Sequence, residues 1–229
     1  MTRPDDRPVG AMRPVRISTG FQHAPAGSCL VEFGGTRVAV SASVAEGAPR
    51  WKASGGWVTA EYAMLPGSTA PRARRQRSGP DGRAKEIERL VGRSLRAVVD
   101  LEAVGERTVT VDCDVLDADG GTRTAAITGA WVALVAALRT VGAEQAVVGQ
   151  VAAVSVGIVA GQERLDLEYV EDVTADVDAN VVMTADGGLV EVQATAEGDV
   201  FGRAAMDTLL DLATAGCDEL FAAQRAALG

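Results

Sequence analysis

The order of strand-like and helix-like segments is the feature that most limits how this 229-residue chain can fold. Segments typical of β-strands come in runs, and only three long segments have the 3.6-residue period of an amphipathic helix. The expected strands are 14–19, 28–33, 36–44, 57–64, 108–116, 150–160, 165–169, 180–184 and 189–195, and the expected helices are 84–101, 124–138 and 202–227. Because strands and helices do not alternate strictly, the pattern argues against a doubly wound parallel sheet and predicts an α+β fold with helices packed on mixed sheets.

Two stretches have the composition of loops. Residues 1–12 combine prolines and charges without periodicity and are predicted to form a flexible tail, which leaves 13–229 as a single domain. Residues 66–82 are rich in Gly, Pro, Ser and Arg and are predicted to be a mobile basic loop.

The basic residues are concentrated in one part of an acidic chain. The net charge is −9, which alone argues against a nucleic-acid partner. Between residues 72 and 96, however, the net charge is +6, because nine basic residues and only three acidic residues lie there. The basic residues are Arg72, Arg74, Arg75, Arg77, Arg83, Lys85, Arg89, Arg93 and Arg96. This segregation predicts a local surface that attracts a nucleic-acid backbone, with a solvated helix face and a disordered loop as the alternative.

Several classes of protein are disfavoured. The sequence contains no apolar run of about 18–20 residues, as a membrane span requires, and no apolar segment typical of a signal peptide near its start. The three cysteines are widely spaced, which favours reduced thiols and a cytoplasmic location. With His23 as the only histidine, a Ser/His/Asp triad is improbable.

A glycine-rich junction between an expected strand and an expected helix is the first candidate binding site. Gly120, Gly121, Thr122 and Arg123 fall at the helix start, where backbone N–H groups lack intrahelical acceptors. Glycines allow close approach, threonine hydroxyls can cap the helix or donate to an anion, and arginine offers two parallel donors. The junction therefore suits a phosphate, although a plain turn with a threonine cap explains the same residues.

Arg83 precedes the expected helix 84–101. The other arginines of that helix, Arg89, Arg93 and Arg96, lie opposite its apolar stripe. Arg83 instead extrapolates to the edge of the apolar side and is predicted to point inward, where it needs an anion.

The second half of the chain contains an acidic cluster. Six carboxylates and no basic residue lie between 165 and 183: Asp166, Glu168, Glu171, Asp172, Asp176 and Asp178. Such residues suit a hard cation such as Mg²⁺ or the handling of a proton, and a solvated acidic loop is the alternative. Asp178 is the strongest candidate because it precedes an apolar strand that would hold it rigidly.

Together, a phosphate site, an inward arginine, carboxylates and a basic surface indicate phosphoryl chemistry on a polyanion. The motifs also resemble those of bacterial ribonuclease PH from about residue 10 to 228. They are TAEYAMLPGST (59–69), GRAKEIERLVGRSLRAVVDL (82–101), DCDVLDADGGTRTAAITGAWVAL (112–134), VAAVSVGIV (151–159), DLEYVED (166–172), DANVVMT (178–184) and VEVQATAEG (190–198).

This resemblance implies a phosphate-dependent 3′→5′ exoribonuclease that trims tRNA precursors, releases nucleoside diphosphates and acts reversibly. It also implies a ribosomal-protein-S5-domain-2-like fold and a homohexamer built as a trimer of dimers. The alternative is a noncatalytic RNA-binding ring subunit of the kind found among relatives that have lost site residues.

The resemblance also assigns roles to individual residues. Arg83, Gly121, Thr122 and Arg123 match phosphate-binding positions, with inorganic phosphate as co-substrate. Asp172 and Asp178 match catalytic aspartates associated with a divalent cation, expected to be Mg²⁺. Arg72 and Arg75 match loop arginines that hold the tRNA acceptor end, whereas Gly67 replaces another arginine usual in that loop.

Overall fold

The computed structural model describes residues 3–75 and 82–229, and that part of the chain contains nine β-strands and five α-helices. The strands are β1 (Val15–Thr19), β2 (Gly27–Phe33), β3 (Thr36–Glu46), β4 (Trp57–Met64), β5 (Arg107–Asp117), β6 (Val151–Val159), β7 (Gln162–Leu165), β8 (Val177–Thr184) and β9 (Leu189–Ala196). The helices are α1 (Gly82–Arg96), α2 (Leu101–Val104), α3 (Thr122–Thr140), α4 (Tyr169–Asp172) and α5 (Arg203–Leu228). None of these helices is both long and apolar enough to cross a lipid bilayer.

The strands form two sheets. The first has the order β1-β2-β3-β5-β4, and only its β4–β5 pair is parallel. The second has the order β7-β6-β8-β9 and is antiparallel throughout. The α+β class and the mixed sheet predicted from the sequence are confirmed.

Helix α3 lies between the sheets and contacts β2, β3 and β6. Close packing requires Gly129, because a Cβ at that position would lie 2.7 Å from Cγ1 of Val31 on β2. Buried apolar residues of both sheets and of α1, α3 and α5 form one continuous cluster. The strand ends that flank α3 are thereby held at fixed positions around its N-terminus.

Three sequence-based elements differ from the structure. The strand expected over 180–184 begins at Val177, so Asp178 lies within it rather than before it. The helix expected over 84–101 ends at Arg96, and the separate helix α2 follows because the Asp100 carboxylate accepts hydrogen bonds from the backbone N–H groups of Glu102 and Ala103. The strand expected over 165–169 ends at Leu165, because Asp166 adopts a left-handed conformation with φ of 54°. The chain then turns into α4, whose start has a capping box between Glu168 and Glu171.

Residues 3–12, part of the segment predicted as a flexible tail, contain no helix or strand but pack against the second half of the chain. The Arg3 side chain is 1% exposed and forms an ion pair with Glu171. Such contacts are not expected of a loose tail, and a period-based reading cannot detect them because they join residues 168 positions apart.

Candidate active site

The glycine-rich junction forms a tight turn between β5 and α3. Gly120 and Gly121 both have left-handed backbones, with φ of 76° and 66°, and Gly121 is the N-cap of α3. No side chain of the described residues caps this helix. Thr122 Oγ1 instead accepts a hydrogen bond of 2.8 Å from the Tyr62 hydroxyl, and Thr124 Oγ1 donates to the Gly121 carbonyl at 2.9 Å. The threonines therefore brace the turn, and the helix start faces the cavity without a side-chain cap.

Gly120 also brings this turn into contact with the acidic segment. A Cβ at Gly120 would lie 2.5 Å from the Leu167 carbonyl oxygen and 2.8 Å from the backbone nitrogen of Tyr169. Only glycine allows the turn to pack directly on the chain that leads into α4. The glycine turn before α3 and the acidic segment that leads into α4 are thus adjacent.

A cavity of about 510 Å³ opens between the two sheets' strand ends. Six residues predicted for phosphate binding or catalysis line it together: Arg83, Gly121, Thr122, Arg123, Asp172 and Asp178. Arg83, in the first turn of α1, is more exposed than predicted, because it reaches the open cavity rather than the protein interior. The prediction that Arg83 points inward is therefore wrong, whereas its predicted role in binding an anion stays a prediction.

Arg123 is held by two residues that sequence reasoning did not identify. Its Nη1 donates to Gln193 Oε1 on β9 at 2.7 Å and lies 3.3 Å from Glu86 Oε1 on α1. Gln193 Nε2 also donates to Glu86 Oε1 at 3.1 Å, which closes a three-residue network. With its side chain only 13% exposed, Arg123 is fixed in orientation at the cavity wall.

The pKa values of the two aspartates reflect their burial and the charged groups around them. Burial raises the pKa of Asp178 to about 6, and the neighbouring Asp172 carboxylate adds to the increase. Burial also raises the pKa of Asp172. Arg83 and Arg123 lower the pKa of both groups, so all four charges share one electrostatic environment.

Polar side chains that the sequence did not single out complete the cavity wall. Asn180 lies two residues after Asp178 on β8, and Tyr169 lies three residues before Asp172 on α4. Within residues 3–75 and 82–229, no three histidine, cysteine or acidic side chains converge as a group able to hold a metal by themselves. Any metal here would therefore be held by the aspartate pair together with other oxygen ligands.

The loop arginines lie outside the main cavity. Arg75 lines a neighbouring cavity of about 250 Å³, to which Arg83 also contributes. Arg72 is exposed and belongs to the wall of neither cavity in the part of the chain that the structure describes. Arg77 and the remainder of 76–81, which belong to the predicted basic loop, fall outside the described residues.

The outer face of α1 is only partly solvated. Arg89 and Arg93 are both exposed as predicted, although Arg93 also forms an ion pair with Glu191 on β9. The guanidinium of Arg96 lies 4.5 Å from the ring centre of Trp57 and donates to the Val58 carbonyl. These two arginines thus contribute to packing between α1 and its neighbours.

Comparison with known proteins identifies the family to which this chain belongs. Two family models match the chain, "3' exoribonuclease family, domain 1" over residues 11–139 and "3' exoribonuclease family, domain 2" over residues 149–216. The chain belongs to this 3′ exoribonuclease family. A ribonuclease PH of Corynebacterium efficiens is 56% identical to it over all of this chain and 97% of the relative. A ribonuclease PH of a Mycobacterium species is 56% identical over 99% of this chain and 91% of the relative.

Solved structures of lower sequence identity share the fold of this 3′ exoribonuclease family member. The Archaeoglobus fulgidus exosome with RNA bound to its active site contains a chain with a TM-score of 0.82 and 24% identity, covering 96% of this chain and 91% of that one. Rice Rrp46 has a TM-score of 0.81 and 18% identity, and the match covers 99% of both chains. The predicted ribonuclease PH type of fold, the resemblance to ribonuclease PH and the phosphate-dependent 3′→5′ exoribonuclease activity are confirmed.

Proposed function

We propose that this enzyme binds inorganic phosphate, its co-substrate, in the 510 Å³ cavity and directs it at the 3′-terminal linkage of an RNA. The observation that carries the proposal is the meeting of two guanidinium groups and an uncapped helix start with two carboxylates in one cavity. Arg83, Gly121, Thr122 and Arg123 would bind the phosphate, and Asp172 and Asp178 would act at the scissile bond.

The chemistry requires two anions to approach each other. An oxygen of the phosphate forms a bond to the phosphorus of the terminal internucleotide linkage, and the bond from that phosphorus to the 3′-oxygen of the preceding nucleotide breaks. Arg83, Arg123 and the N–H groups at the start of α3 offset the repulsion and orient the nucleophile. The 3′-oxygen takes up the proton that the attacking hydrogen phosphate gives up, and a nucleoside diphosphate leaves. The exchange of a phosphodiester for a phosphoanhydride makes the reaction reversible.

The aspartate pair suits both a proton and a divalent cation. Asp178 is on β8, which is paired on both sides, and lies opposite Gly157 on β6 and Thr195 on β9. The backbone therefore holds its carboxyl group rigidly in place to pass a proton to the leaving oxygen. Burial is the main cause of the raised pKa of Asp178, and the repulsion from Asp172 that adds to it is one that a bound cation would relieve; the amide oxygen of Asn180 adds a suitable ligand. These residues fit Mg²⁺, which when bound supplies positive charge that offsets charge developing on phosphate oxygens.

A phosphate-dependence assay tests the function. The protein is incubated with a 3′-labelled single-stranded RNA and Mg²⁺, with and without inorganic phosphate, and the products are separated by chromatography. Nucleoside diphosphates are expected only when phosphate is present. Release of nucleoside monophosphates, or equal turnover without phosphate, contradicts the proposal.

The RNA substrates would be tRNA precursors, whose acceptor ends are held by Arg72 and Arg75. Both arginines are exposed on the chain that follows β4, and Arg75 lines the cavity to which Arg83 also contributes. Their role is electrostatic, because no aromatic side chain lies among the basic residues of 72–75 to stack on bases.

Replacing Arg75 by alanine is expected to weaken RNA binding and reduce the salt dependence of binding by about one counterion, because one phosphate contact is lost. The dissociation constant of a single-stranded RNA is measured over a series of salt concentrations. Arg16→Ala is the matched control, since Arg16 is exposed on β1, at the opposite edge of the first sheet from β4. If the dissociation constant depended equally on salt for Arg75→Ala and the wild type, Arg75 would not contact the RNA.

The assembly and location also belong to the proposal. A homohexamer built from three dimers follows from the ribonuclease PH resemblance, and the related archaeal structures are exosome cores. A cytoplasmic location agrees with three buried cysteines that form no disulfide. The alternative, a noncatalytic RNA-binding subunit, is disfavoured because the phosphate-site and aspartate residues are all present in one cavity.

A further inference from the structure

The segment before β1 inserts arginine side chains into the protein interior. Arg3 makes a bidentate ion pair with Glu171, in which Nε lies 2.9 Å from Oε1 and Nη2 lies 2.7 Å from Oε2. The two side chains are 1% and 2% exposed. Buried and bidentate, this pair has a defined geometry that an exposed ion pair lacks.

Glu171 belongs to α4, a four-residue helix that also carries Asp172. A helix this short cannot hold its own conformation, so its position depends on outside contacts. Besides Arg3, two more guanidinium groups reach Glu171: Arg164 Nη1 at 2.7 Å from Oε1 and Arg7 Nη2 at 3.3 Å from Oε2. Glu171 is therefore the side chain that anchors α4.

Asp172 depends on this anchor. Within the described residues its carboxylate makes no hydrogen bond or ion pair, and only longer-range charges act on it. The location of the carboxylate is consequently determined by the backbone of α4. Any shift of α4 would move Asp172 relative to Asp178 and the phosphate-binding residues.

The same N-terminal segment also contacts the glycine turn. Arg13 Nη2 lies 2.7 Å from Asp166 Oδ1, and the Arg13 backbone N–H donates to Asp166 Oδ2 at 2.8 Å. The Arg13 guanidinium also donates to the carbonyl groups of Asp119 and Gly120. One segment thus holds the turn before α3 at one point and α4 at another.

We propose that Arg3 is a positioning residue for the phosphorolytic reaction, which through its pair with Glu171 fixes α4, and with it Asp172, against the glycine turn. The inference rests on the role proposed above for Asp172. Arg3 touches neither phosphate nor RNA in this scheme. Its partners are Glu171, the Asp166 carbonyl and carbonyls of its own segment, so its loss acts first on α4 rather than on the hydrophobic core.

The test uses the full chain with Arg3→Gln, Arg3→Lys and the exposed control Arg16→Gln. Steady-state kinetics are measured against phosphate and RNA separately, and amide hydrogen exchange is followed in peptides covering 168–173, α3 and β6. Arg3→Gln is expected to lower kcat by about 10- to 100-fold, with the KM for phosphate changed by less than about threefold. Exchange should accelerate in 168–173 but not in α3 or β6, and Arg3→Lys, which keeps one charged donor, should recover part of kcat.

An unchanged kcat together with unchanged exchange in 168–173 overturns the inference. Acceleration spread equally over α3 and β6 also overturns it, because Arg3 would then act on global stability. If Arg3→Gln does not fold, Arg3→Lys is judged by the same two criteria. If the wild type shows no phosphate-dependent release, the proposed function fails, and the exchange of 168–173 alone decides whether Arg3 positions α4.

Discussion

Replacing Asp178 by asparagine is expected to lower kcat by about 10²–10⁴-fold while RNA binding is retained, because asparagine keeps the shape of the side chain but cannot pass a proton to the leaving 3′-oxygen or bind a cation as a carboxylate. The backbone at this position should not move, since β8 is paired with β6 and β9 on either side of Asp178. Initial rates of nucleoside diphosphate release and the dissociation constant of a single-stranded RNA measure the two expected results. RNA affinity should not fall, because the change removes a negative charge from the site.

Asp176→Asn provides the matched control. Asp176 is in the same acidic stretch, two residues earlier, but it is exposed and does not line the cavity. Its replacement is expected to change kcat by no more than about twofold. Normal turnover by Asp178→Asn, or an equal loss in both variants, would mean that the carboxylate of Asp178 has no special part in the reaction.

The aspartates differ in how their positions are maintained. Asp178 stands in the interior of a sheet, whereas Asp172 stands on a single helical turn anchored by buried arginines. Changes far from the cavity should therefore affect Asp172 more than Asp178. Arg3 is the side chain at which this difference becomes measurable.

The sequence was most informative where the chemistry is local. Gly120 through Arg123 are consecutive, and a strand before them and an apolar helix after them are visible as changes of hydrophobic period. The structure accordingly places the turn at the N-terminus of α3, as expected. Helical periodicity predicted an inward Arg83, but the residue is exposed, because it lines a cavity that no local pattern predicts.

Long-range polar contacts were not predictable in this way. Glu86 and Gln193 both meet Arg123, but they are 107 residues apart, and each is an ordinary polar residue in its own segment. The strand expected over 165–169 failed because the left-handed backbone of Asp166 is stabilised by its contacts with the N-terminal arginines, whose pairing leaves no periodic signal. Family resemblance supplied the functional residues, while the residues that hold them in place required coordinates.

The second large effect is expected for Arg123→Ala, which should lower kcat/KM for phosphate by about 10²–10³-fold. Arg123 is positioned in advance by Glu86 and Gln193, so its guanidinium can stabilise the attacking phosphate without having to be ordered during the reaction. Rates are measured at varied phosphate and saturating RNA. The loss of activity should appear mainly as a raised KM for phosphate, since Arg123 lines the 510 Å³ cavity and is not part of the loop that carries Arg72 and Arg75.

Arg93→Ala is the matched control, because Arg93 also joins α1 to β9, through Glu191, but does not line the cavity. It is expected to change kcat/KM for phosphate by no more than about twofold. Arg123→Lys should fall between the wild type and Arg123→Ala, since lysine keeps the charge but cannot donate to an anion and to Gln193 in the planar geometry of a guanidinium. If Arg123→Lys matched the wild type, charge alone would suffice, and the network of Glu86 and Gln193 would have no part in orienting phosphate. If Arg93→Ala lost as much activity as Arg123→Ala, the loss would come from broken contact between α1 and β9 rather than from phosphate binding.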